Sequence, residues 1–372
     1  MKKLLTVMLA LLFLGISAAA ETKMCAIGVG KGDAIVITVD SEAYLIDTGK
    51  GYACGRLRRG LSELGITRLD GVFITHVDSD HIEGLKWLAD SGVAVDSWYA
   101  SPYFFEYKEG KHPLQKLDLD VTWLNAGDSV PVSGGAFRVL APLSKSDEDE
   151  NDNSLVMMLE TDDGRILLTG DMEQAEEAEL LAAGTDVSCH VLKVSNHGDD
   201  DASGSEFLAA AAPHVAVIST DSLEKPGTPS VRVLSDLERI GSDTYVTQGH
   251  SAVQVTLDGG KVSAGYLDWE SSPYYGVTMT VDVENELFTI TNGTNADIDL
   301  KDWYIYSEKG NELFVFPSRL LPAGASAVVG TKSSPEGAYG IFWDDKNVIY
   351  NKNPDPLTLY DPDGNAISYS GA

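Results

Sequence analysis

The chain reads Thr-His-Val-Asp-Ser-Asp-His at residues 75–81, directly after the apolar run Gly-Val-Phe-Ile at 71–74. A buried strand ending there would gather two imidazoles and two carboxylates at the carboxyl edge of a sheet, where α/β proteins keep their chemistry. Imidazole and carboxylate together suit zinc, manganese or iron better than calcium or magnesium alone. A polar loop with incidental histidines is the alternative, but two of the chain's seven histidines fall in this run. The stretch therefore predicts a metal site on an α/β fold.

Residues 1–20 have the layout of a secretory signal peptide. Lys2 and Lys3 precede an apolar stretch at 4–16, and three alanines at 18–20 precede Glu21. Cleavage after Ala20 would release a secreted, extracellular protein, with retention at the cell surface left open. An uncleaved membrane anchor is the alternative, although the apolar stretch is short for a membrane span.

The net charge of −30 predicts long-range repulsion of polyanions. It weighs against tight, non-specific binding of nucleic acid, whereas a metal site still accepts a phosphate locally. Cys25, Cys54 and Cys189 are widely separated and form no metal-ligand spacing. One disulfide with a leftover thiol stays open, but the fold is not expected to depend on disulfides.

Apolar periodicity divides the chain into a mixed α/β region and an all-β region. Strands are predicted at 34–39, 44–46, 72–74, 154–159, 165–168, 187–194 and 215–219 and near Tyr245 and Val253, with helices at 56–64, 81–89, 174–183, 206–212 and 231–240. Residues 266–276 are rich in aromatics, Ser, Pro and Gly and predict a linker. We therefore expect domains at 21–265 and 277–372, the second with the closely spaced short strands of a β-sandwich.

Four further turns carry polar side chains next to predicted strands. Asp47 follows one strand, Asp171 follows another, and Asn196 and His197 follow a third, while a glycine-rich turn ending at Asp33 precedes the first. One aspartate at a strand end is weak evidence, because Asp is a common turn residue. A set of strand ends that all carry Asp or His is expected to converge on one rim and to hold two cations.

Residues 75–85 resemble the signature of the metallo-β-lactamase fold, in the variant found in the hydrolase domain of ComEC-like competence proteins. Aspartate replaces the second histidine of the usual run in that variant, as Asp78 does here. Supporting segments resemble the family's in the same order at 28–34, 44–49, 151–156, 167–171 and 192–198. The resemblance covers residues 24–257 and implies an αββα sandwich. We expect this chain to have no transmembrane channel of the kind found in full competence proteins.

Carried over by position, the resemblance implies a site for one or two divalent ions, Zn²⁺ or Mn²⁺. The implied ligands are His76 and Asp78 for one metal and Asp80, His81 and His197 for the second, with Asp171 bridging the two. The implied chemistry is hydrolysis by a metal-activated hydroxide.

Further residues are expected to contact the substrate or to take part in catalysis. Asp80 would hold a ligand or relay a proton, and spacing alone does not separate these roles. The predicted catalytic residues are Asp80, Asp33 and Lys31, and the predicted substrate-binding residues are Asn153, Asn196 and Thr228. Lys31 is expected to meet a substrate phosphate.

The sequence departs from the family pattern at several positions. Asn196 and Thr228 stand where the family carries histidines, Glu83 replaces a glycine, and Gly28 replaces an aspartate. An asparagine still offers a carbonyl oxygen to a hard cation, and a threonine can hydrogen-bond a phosphate. A degenerate, non-catalytic site is the alternative that these losses leave open.

Residues 277–372 resemble a lamin-tail-type immunoglobulin-like domain. The similarity rests on segments at 288–292, 299–303, 316–317, 321–324 and 357–361. Trp303, Phe316 and Trp343 are large apolar groups suited to a sandwich core. No constellation in this segment predicts chemistry, so it is expected to bind a cell-surface or extracellular ligand.

These features together predict an exported metal-dependent hydrolase, most simply a phosphodiesterase or nuclease acting on extracellular DNA or nucleotides. Hydrolysis of a small ester, lactone or lactam is a second interpretation, favoured by a narrow cleft without basic residues near Lys31 and Lys193. A non-catalytic surface-binding protein with a degenerate metal site is a third.

Overall fold

The computed structural model describes residues 21–103, 114, 117–147, 149–308, 310–345, 348 and 356–370. The predicted signal peptide at 1–20 lies outside the described residues. Within them, none of the helices has the length and apolar character needed to cross a membrane.

Short strands dominate the N-terminal region, and most of their side chains are apolar. In chain order these strands are β1 (Thr22–Ile27), β2 (Ile35–Val39), β3 (Glu42–Ile46), β4 (Arg68–Leu69), β5 (Gly71–Ile74), β6 (Ala94–Val95), β7 (Trp98–Ala100), β8 (Val121–Trp123), β9 (Ser129–Val132), β10 (Gly135–Ala141), β11 (Val156–Thr161), β12 (Gly164–Leu168), β13 (Val191–Lys193), β14 (Val215–Ile218), β15 (Asp243–Val246), β16 (Ala252–Asp258) and β17 (Lys261–Leu267).

Helices lie between these strands. They are α1 (Cys54–Glu63), α2 (Ser79–Ile82), α3 (Leu85–Asp90), α4 (Gln174–Ala182), α5 (Ser205–Ala211) and α6 (Val231–Ile240), with single 3₁₀ turns at Gly51–Ala53, Asn151–Asn153 and Ser195–Gly198. The start of α6 is capped by the Ser230 hydroxyl, which accepts the Val233 N–H at 3.2 Å.

Two large sheets pack face to face between layers of helices. In the described part of the chain, one sheet has the order β17-β16-β1-β2-β3-β5-β7-β8 and the other β15-β14-β13-β12-β11-β10-β9. Alternation along β2 sends Ile35 and Ile37 into the core between the sheets and Val36 into the core on the helical side. Because both faces of the sheets are covered, their strands are apolar on both sides. The result is the predicted α/β fold, an αββα sandwich.

Strand direction brings several polar turns to one edge of this sandwich. β3 and β5 are parallel neighbours, as are β12 and β13, and then β13 and β14. The carboxyl ends of parallel neighbours meet at the same edge, so the turns after β3, β5, β12 and β13 lie together. This arrangement positions the candidate site.

One predicted helix differs from the structure. Instead of a helix over 81–89, α2 ends at Ile82 and α3 begins at Leu85. The chain between them is tied to the turn after β3, because Thr48 N–H donates to the His81 carbonyl at 2.7 Å and Gly84 N–H donates to the Gly49 carbonyl at 3.0 Å. Tertiary hydrogen bonds therefore replace the local helical ones.

The C-terminal region is a separate β-sandwich. Its strands are β18 (Val277–Asp282), β19 (Leu287–Asn292), β20 (Ile298–Asp299), β21 (Tyr304–Ser307), β22 (Glu312–Val315), β23 (Leu320–Leu321), β24 (Ser326–Gly330), β25 (Ile341–Phe342), β26 (Leu357–Tyr360) and β27 (Ala366–Ser370). Trp303, Phe316 and Trp343 are buried in its core, as the sequence predicts. β17 ends at Leu267 and β18 begins at Val277; the domain limits themselves stay a prediction.

The three cysteines are free thiols, so none of them forms the disulfide that the sequence left open. All three are buried, and burial raises the pKa of each thiol to about 12. The described fold therefore gains nothing from a disulfide.

The C-terminal sandwich packs directly on α1 and on the turn before it. The Tyr304 hydroxyl donates to the Tyr52 carbonyl at 2.6 Å, and the Tyr306 hydroxyl donates to Glu83 Oε2 at 3.1 Å. Gly55 lies against Gly364, where an added Cβ would approach the Gly364 nitrogen to 2.8 Å and its Cα to 2.9 Å. The close approach of the two backbones requires glycine at 55.

We expect Gly55→Val to loosen this docking, because a branched side chain has no room between α1 and Gly364. Limited proteolysis of the segment between β17 and β18, followed by mass spectrometry, measures the effect. Ala209→Val, at an exposed position of α5, is the matched control and should cleave like the unmodified protein. Equal cleavage of Gly55→Val and the control would contradict the docking described here.

Candidate metal centre

The site is built around Asp47, which follows β3 and is fully buried. Its Oδ1 accepts the Thr75 N–H at 2.8 Å, and its Oδ2 accepts the Thr75 hydroxyl at 2.7 Å. His81 Nδ1 lies 2.7 Å from the same Oδ2. One carboxylate therefore joins the ends of β3 and β5 to the first turn of α2.

These hydrogen bonds orient the two innermost histidines. Because Nδ1 of His81 donates to Asp47, its Nε2 is left facing the cavity. His197 is arranged in the same way, since its Nδ1 lies 2.7 Å from the Ser219 carbonyl oxygen. The two Nε2 atoms face each other at 3.3 Å.

Two aspartates complete this group of candidate metal ligands. Asp171 Oδ2 lies 3.2 Å from His81 Nε2 and 3.0 Å from His197 Nε2. Asp80 Oδ2 lies 3.4 Å from His197 Nε2. One donor atom from each of these four buried residues lies within 4.8 Å of the other three.

The donor set fits a divalent cation such as zinc or manganese. Imidazole nitrogens and carboxylate oxygens are the ligands that these ions prefer. His76 Nε2 and Asp171 Oδ1 are buried without a hydrogen-bond partner within the described residues. Two Nε2 lone pairs facing each other and a carboxylate repel one another unless positive charge lies between them. A bound cation would supply that charge.

The pKa values of His81 and Asp171 are shifted by the same convergence of imidazoles and carboxylates. Burial lowers the pKa of His81, but Asp171 and Asp47 outweigh it and hold that pKa well above its ordinary value. Burial raises the pKa of Asp171, but His197 and His81 hold it well below its ordinary value. The carboxylates of the pocket therefore favour positive charge among the imidazoles.

His76 and Asp78 are the two remaining predicted ligands. His76 is buried, with its ring centroid 4.1 Å from that of His81 and its Nε2 4.0 Å from Asp171 Oδ2. Asp78 is half-buried and directly precedes α2. Asp171 Oδ2 thus lies within 4.0 Å of the Nε2 atoms of His76, His81 and His197. The assignment of ligands to two separate metals stays a prediction.

Lys31 and Asp33 flank the donors from the glycine-rich turn. Lys31 Nζ lies 2.5 Å from Asp80 Oδ2, and Asp33 Oδ2 lies 2.7 Å from Lys193 Nζ. The pKa of Lys31 is lowered by burial but raised more strongly by Asp80 and Asp171, so the net shift is upward. Lys193 is only 1 % exposed, so it neutralises Asp33 inside the protein and does not present charge to a substrate.

Comparison with known proteins agrees with this geometry. Residues 27–222 match the model of the metallo-beta-lactamase superfamily. The chain belongs to that superfamily. Residues 270–372 match the Lamin Tail Domain, in agreement with the resemblance noted from the sequence.

The chain is related to competence proteins. It is 27% identical over 264 residues to ComE operon protein 3 of Bacillus subtilis (strain 168), covering 66% of this chain and 34% of that protein. It is 26% identical over 252 residues to Competence protein ComA of Neisseria gonorrhoeae, covering 66% of this chain and 34% of that protein. Ribonuclease Z of Pseudomonas putida (strain GB-1) is 31% identical over 162 residues, covering 37% and 49%. The chain thus spans about a third of the length of the two competence proteins.

The predicted substrate-binding residues of this superfamily member are engaged in the protein's own hydrogen bonds. The Asn153 amide accepts the Ser146 N–H and donates to the carbonyl oxygens of Ser146 and Asp149. The Thr228 hydroxyl donates to the Lys225 carbonyl and pairs with the Thr220 hydroxyl at 2.9 Å. Both side chains shape loops, so the geometry gives their predicted substrate roles no support.

Asn196 lies beside the metal donors but faces acidic residues. Its Nδ2 donates to Glu173 Oε1 at 3.3 Å and to Asp201 Oδ1 at 3.2 Å. Asn196 and His197 both have left-handed backbone angles, with φ of 42° and 55°, and this turn directs His197 into the cavity. The predicted contact of Asn196 with a substrate or cation stays a prediction.

The sequence places Asp47 at the end of a predicted strand, but the predicted site residues do not include it. The segment at 44–49, which contains Asp47, resembles the family pattern, so the sequence does carry a signal for this residue. The predicted site also lacks Thr75 and the Ser219 carbonyl, because nothing in their residue types marks them as partners of a carboxylate 28 residues away or a histidine 22 residues away.

We expect Asp47→Asn to raise the dissociation constant for Zn²⁺ by about 10- to 100-fold, because an amide holds the His81 imidazole more weakly than a carboxylate does. Competition with a chromophoric chelator measures this constant. Asp258→Asn, at the exposed end of β16, is the matched control. Unchanged zinc affinity in Asp47→Asn would show that Asp47 does not support the site.

Proposed function

We propose that this chain is an exported metal-dependent hydrolase that cleaves phosphodiester bonds of extracellular DNA or nucleotides. The observation that carries the proposal is the buried group of Asp80, His81, Asp171 and His197, with the Lys31 ammonium at its side. One or two Zn²⁺ or Mn²⁺ ions are the proposed cofactors.

When bound, such ions supply Lewis acidity, which activates water for attack and neutralises charge developing on the phosphoryl group. The chain's own residues do the rest. Asp80 Oδ2 faces both Lys31 Nζ and His197 Nε2, so it is placed to accept a proton from an attacking water. Lys31 is placed to hold a non-bridging phosphate oxygen through its Nζ.

The names of the relatives support a nucleic-acid substrate. One relative is named as a ComE operon protein, one as a competence protein and one as a ribonuclease. The net charge of −30 opposes long-range attraction of a polymer, so recognition would depend on local contacts. Lys31, which pairs with Asp80, and Lys50, which pairs with Glu224, can provide such contacts to phosphate groups.

Export and the role of the lamin-tail domain belong to the same proposal. A signal peptide at 1–20 would place the enzyme outside the cell, where extracellular DNA is available. The C-terminal domain would then hold the enzyme to a surface or extracellular ligand.

We expect residues 21–372 to cleave single- or double-stranded DNA with Mn²⁺ or Zn²⁺, and EDTA to abolish cleavage. His81→Ala and Asp80→Asn should each lose at least about a hundredfold in rate, since the first removes a ligand from the metal group and the second removes the negative charge of one. His214→Ala, an exposed histidine outside the site, is the matched control. Gel electrophoresis of labelled DNA and inductively coupled plasma mass spectrometry measure cleavage and bound metal.

Each contrary outcome points to a different alternative. Bound metal without DNA cleavage would contradict a nuclease and favour small phosphodiesters, esters, lactones or lactams. Absence of both metal and cleavage in a folded protein would favour the non-catalytic surface-binding protein.

A further inference from the structure

Glu224 reaches from an exposed loop between β14 and α6 to the glycine-rich turn and the turn after β3. Its Oε2 lies 3.1 Å from Lys50 Nζ and accepts the Lys31 backbone N–H at 3.4 Å. Its Oε1 accepts a hydrogen bond from the Tyr52 hydroxyl. Three donors from two separate turns therefore converge on one carboxylate.

These donors lie directly beside the metal centre. Lys31, whose backbone N–H donates to Glu224, also places its Nζ 2.5 Å from Asp80 Oδ2. Lys50 follows the turn that begins at Asp47, the partner of His81. The Glu224 carboxylate, held by the three hydrogen-bond donors, is thus one lysine side chain, that of Lys31, away from the metal ligands.

The chain leaves room for an anion at this position. A Cβ on Gly30 would lie 2.2 Å from Glu224 Oε1 and 2.5 Å from the Tyr52 hydroxyl oxygen. Any larger residue at 30 would fill the space in which the carboxylate lies. The glycine therefore keeps the space between the donors open.

The C-terminal domain holds one of the donors in place. The Tyr52 ring lies 6.2 Å from the Tyr306 ring and 6.4 Å from the Tyr360 ring, centroid to centroid. Tyr304 donates to the Tyr52 carbonyl, and Lys50 Nζ lies 5.7 Å from the centroid of the Tyr52 ring. The donor geometry is therefore fixed by packing and does not depend on Glu224 alone.

We propose that Lys50 Nζ, the Tyr52 hydroxyl and the Lys31 backbone N–H form an anion subsite for a phosphate next to the scissile one, and that Glu224 occupies it until substrate arrives. The proposal rests on the phosphodiesterase function proposed above. A terminal phosphate monoester offers more acceptor oxygens and more charge than a carboxylate. Exposed ion pairs such as Lys50–Glu224 are weak, so a phosphate can displace Glu224 without disturbing the core.

The subsite can be tested without hydrolysis. Protein freed of metal with EDTA and then desalted is titrated with inorganic phosphate by isothermal calorimetry. Glu224→Gln should bind phosphate about fivefold more tightly than the unmodified protein, the factor that corresponds to one exposed ion pair. Lys50→Gln should weaken binding by a similar factor. Glu206→Gln and Lys86→Gln, both at exposed helical positions, are the charge-matched controls and should change nothing.

A kinetic comparison tests the position of the subsite relative to the metals. With Mn²⁺ bound, Glu224→Gln should lower KM for a dinucleotide that carries an additional terminal phosphate. It should leave KM for bis(p-nitrophenyl) phosphate unchanged, since that substrate has no second phosphate.

The two proposals fail separately. Equal phosphate affinity in the unmodified protein, Glu224→Gln and Lys50→Gln would overturn the subsite, whatever the enzyme hydrolyses. The predicted affinity changes without any phosphodiester cleavage would support an anion subsite next to the metals and overturn the phosphodiesterase function. Equal changes of KM for both substrates would overturn the assignment to a neighbouring phosphate.

Discussion

The hydrogen bonds of the Asp47 carboxylate are the interaction on which the site depends. A buried carboxylate is costly unless hydrogen bonds and positive charge compensate it. Here the Thr75 backbone, the Thr75 hydroxyl and the His81 ring all donate to it. Because those donors come from the end of β5 and from α2, satisfying Asp47 also fixes the orientation of the histidine that faces the metal position.

Charge compensation extends from Asp47 through the interior. Asp33 is paired with the buried Lys193, and Asp80 with Lys31. Lys31 thus neutralises one carboxylate of the metal group and Lys193 neutralises another buried carboxylate, in a protein that is otherwise strongly acidic. What remains uncompensated is the group around Asp171, where imidazole nitrogens and carboxylate oxygens converge. The local charge balance thus favours a cation at this group.

The lamin-tail domain is more than an appended module, because it contacts residues next to the metal motif. Glu83, which departs from the family's glycine, accepts hydrogen bonds from the Gly51 N–H and from the Tyr306 hydroxyl, each at 3.1 Å. Glu83 directly follows α2, which carries Asp80 and His81. The departure at 83 therefore has a structural use in this chain, namely joining the C-terminal sandwich to the metal-bearing turn.

The apolar runs were sufficient to predict a mixed α/β region and a β-sandwich, and the polar strand ends predicted convergence on one rim. The family resemblance implied the αββα sandwich and the ligands His76, Asp78, Asp80, His81, Asp171 and His197, whose assignment stays a prediction. Those features depend on periodicity and on residue chemistry, which are local. The same information gave Asn153 and Thr228 substrate-binding roles that stay predictions, while their polar groups bond loop backbones. It also missed the pairing of Asp47 with His81 and the reach of Glu224 to Lys50, because contacts across 34 and 174 residues arise only when the strands and loops have packed.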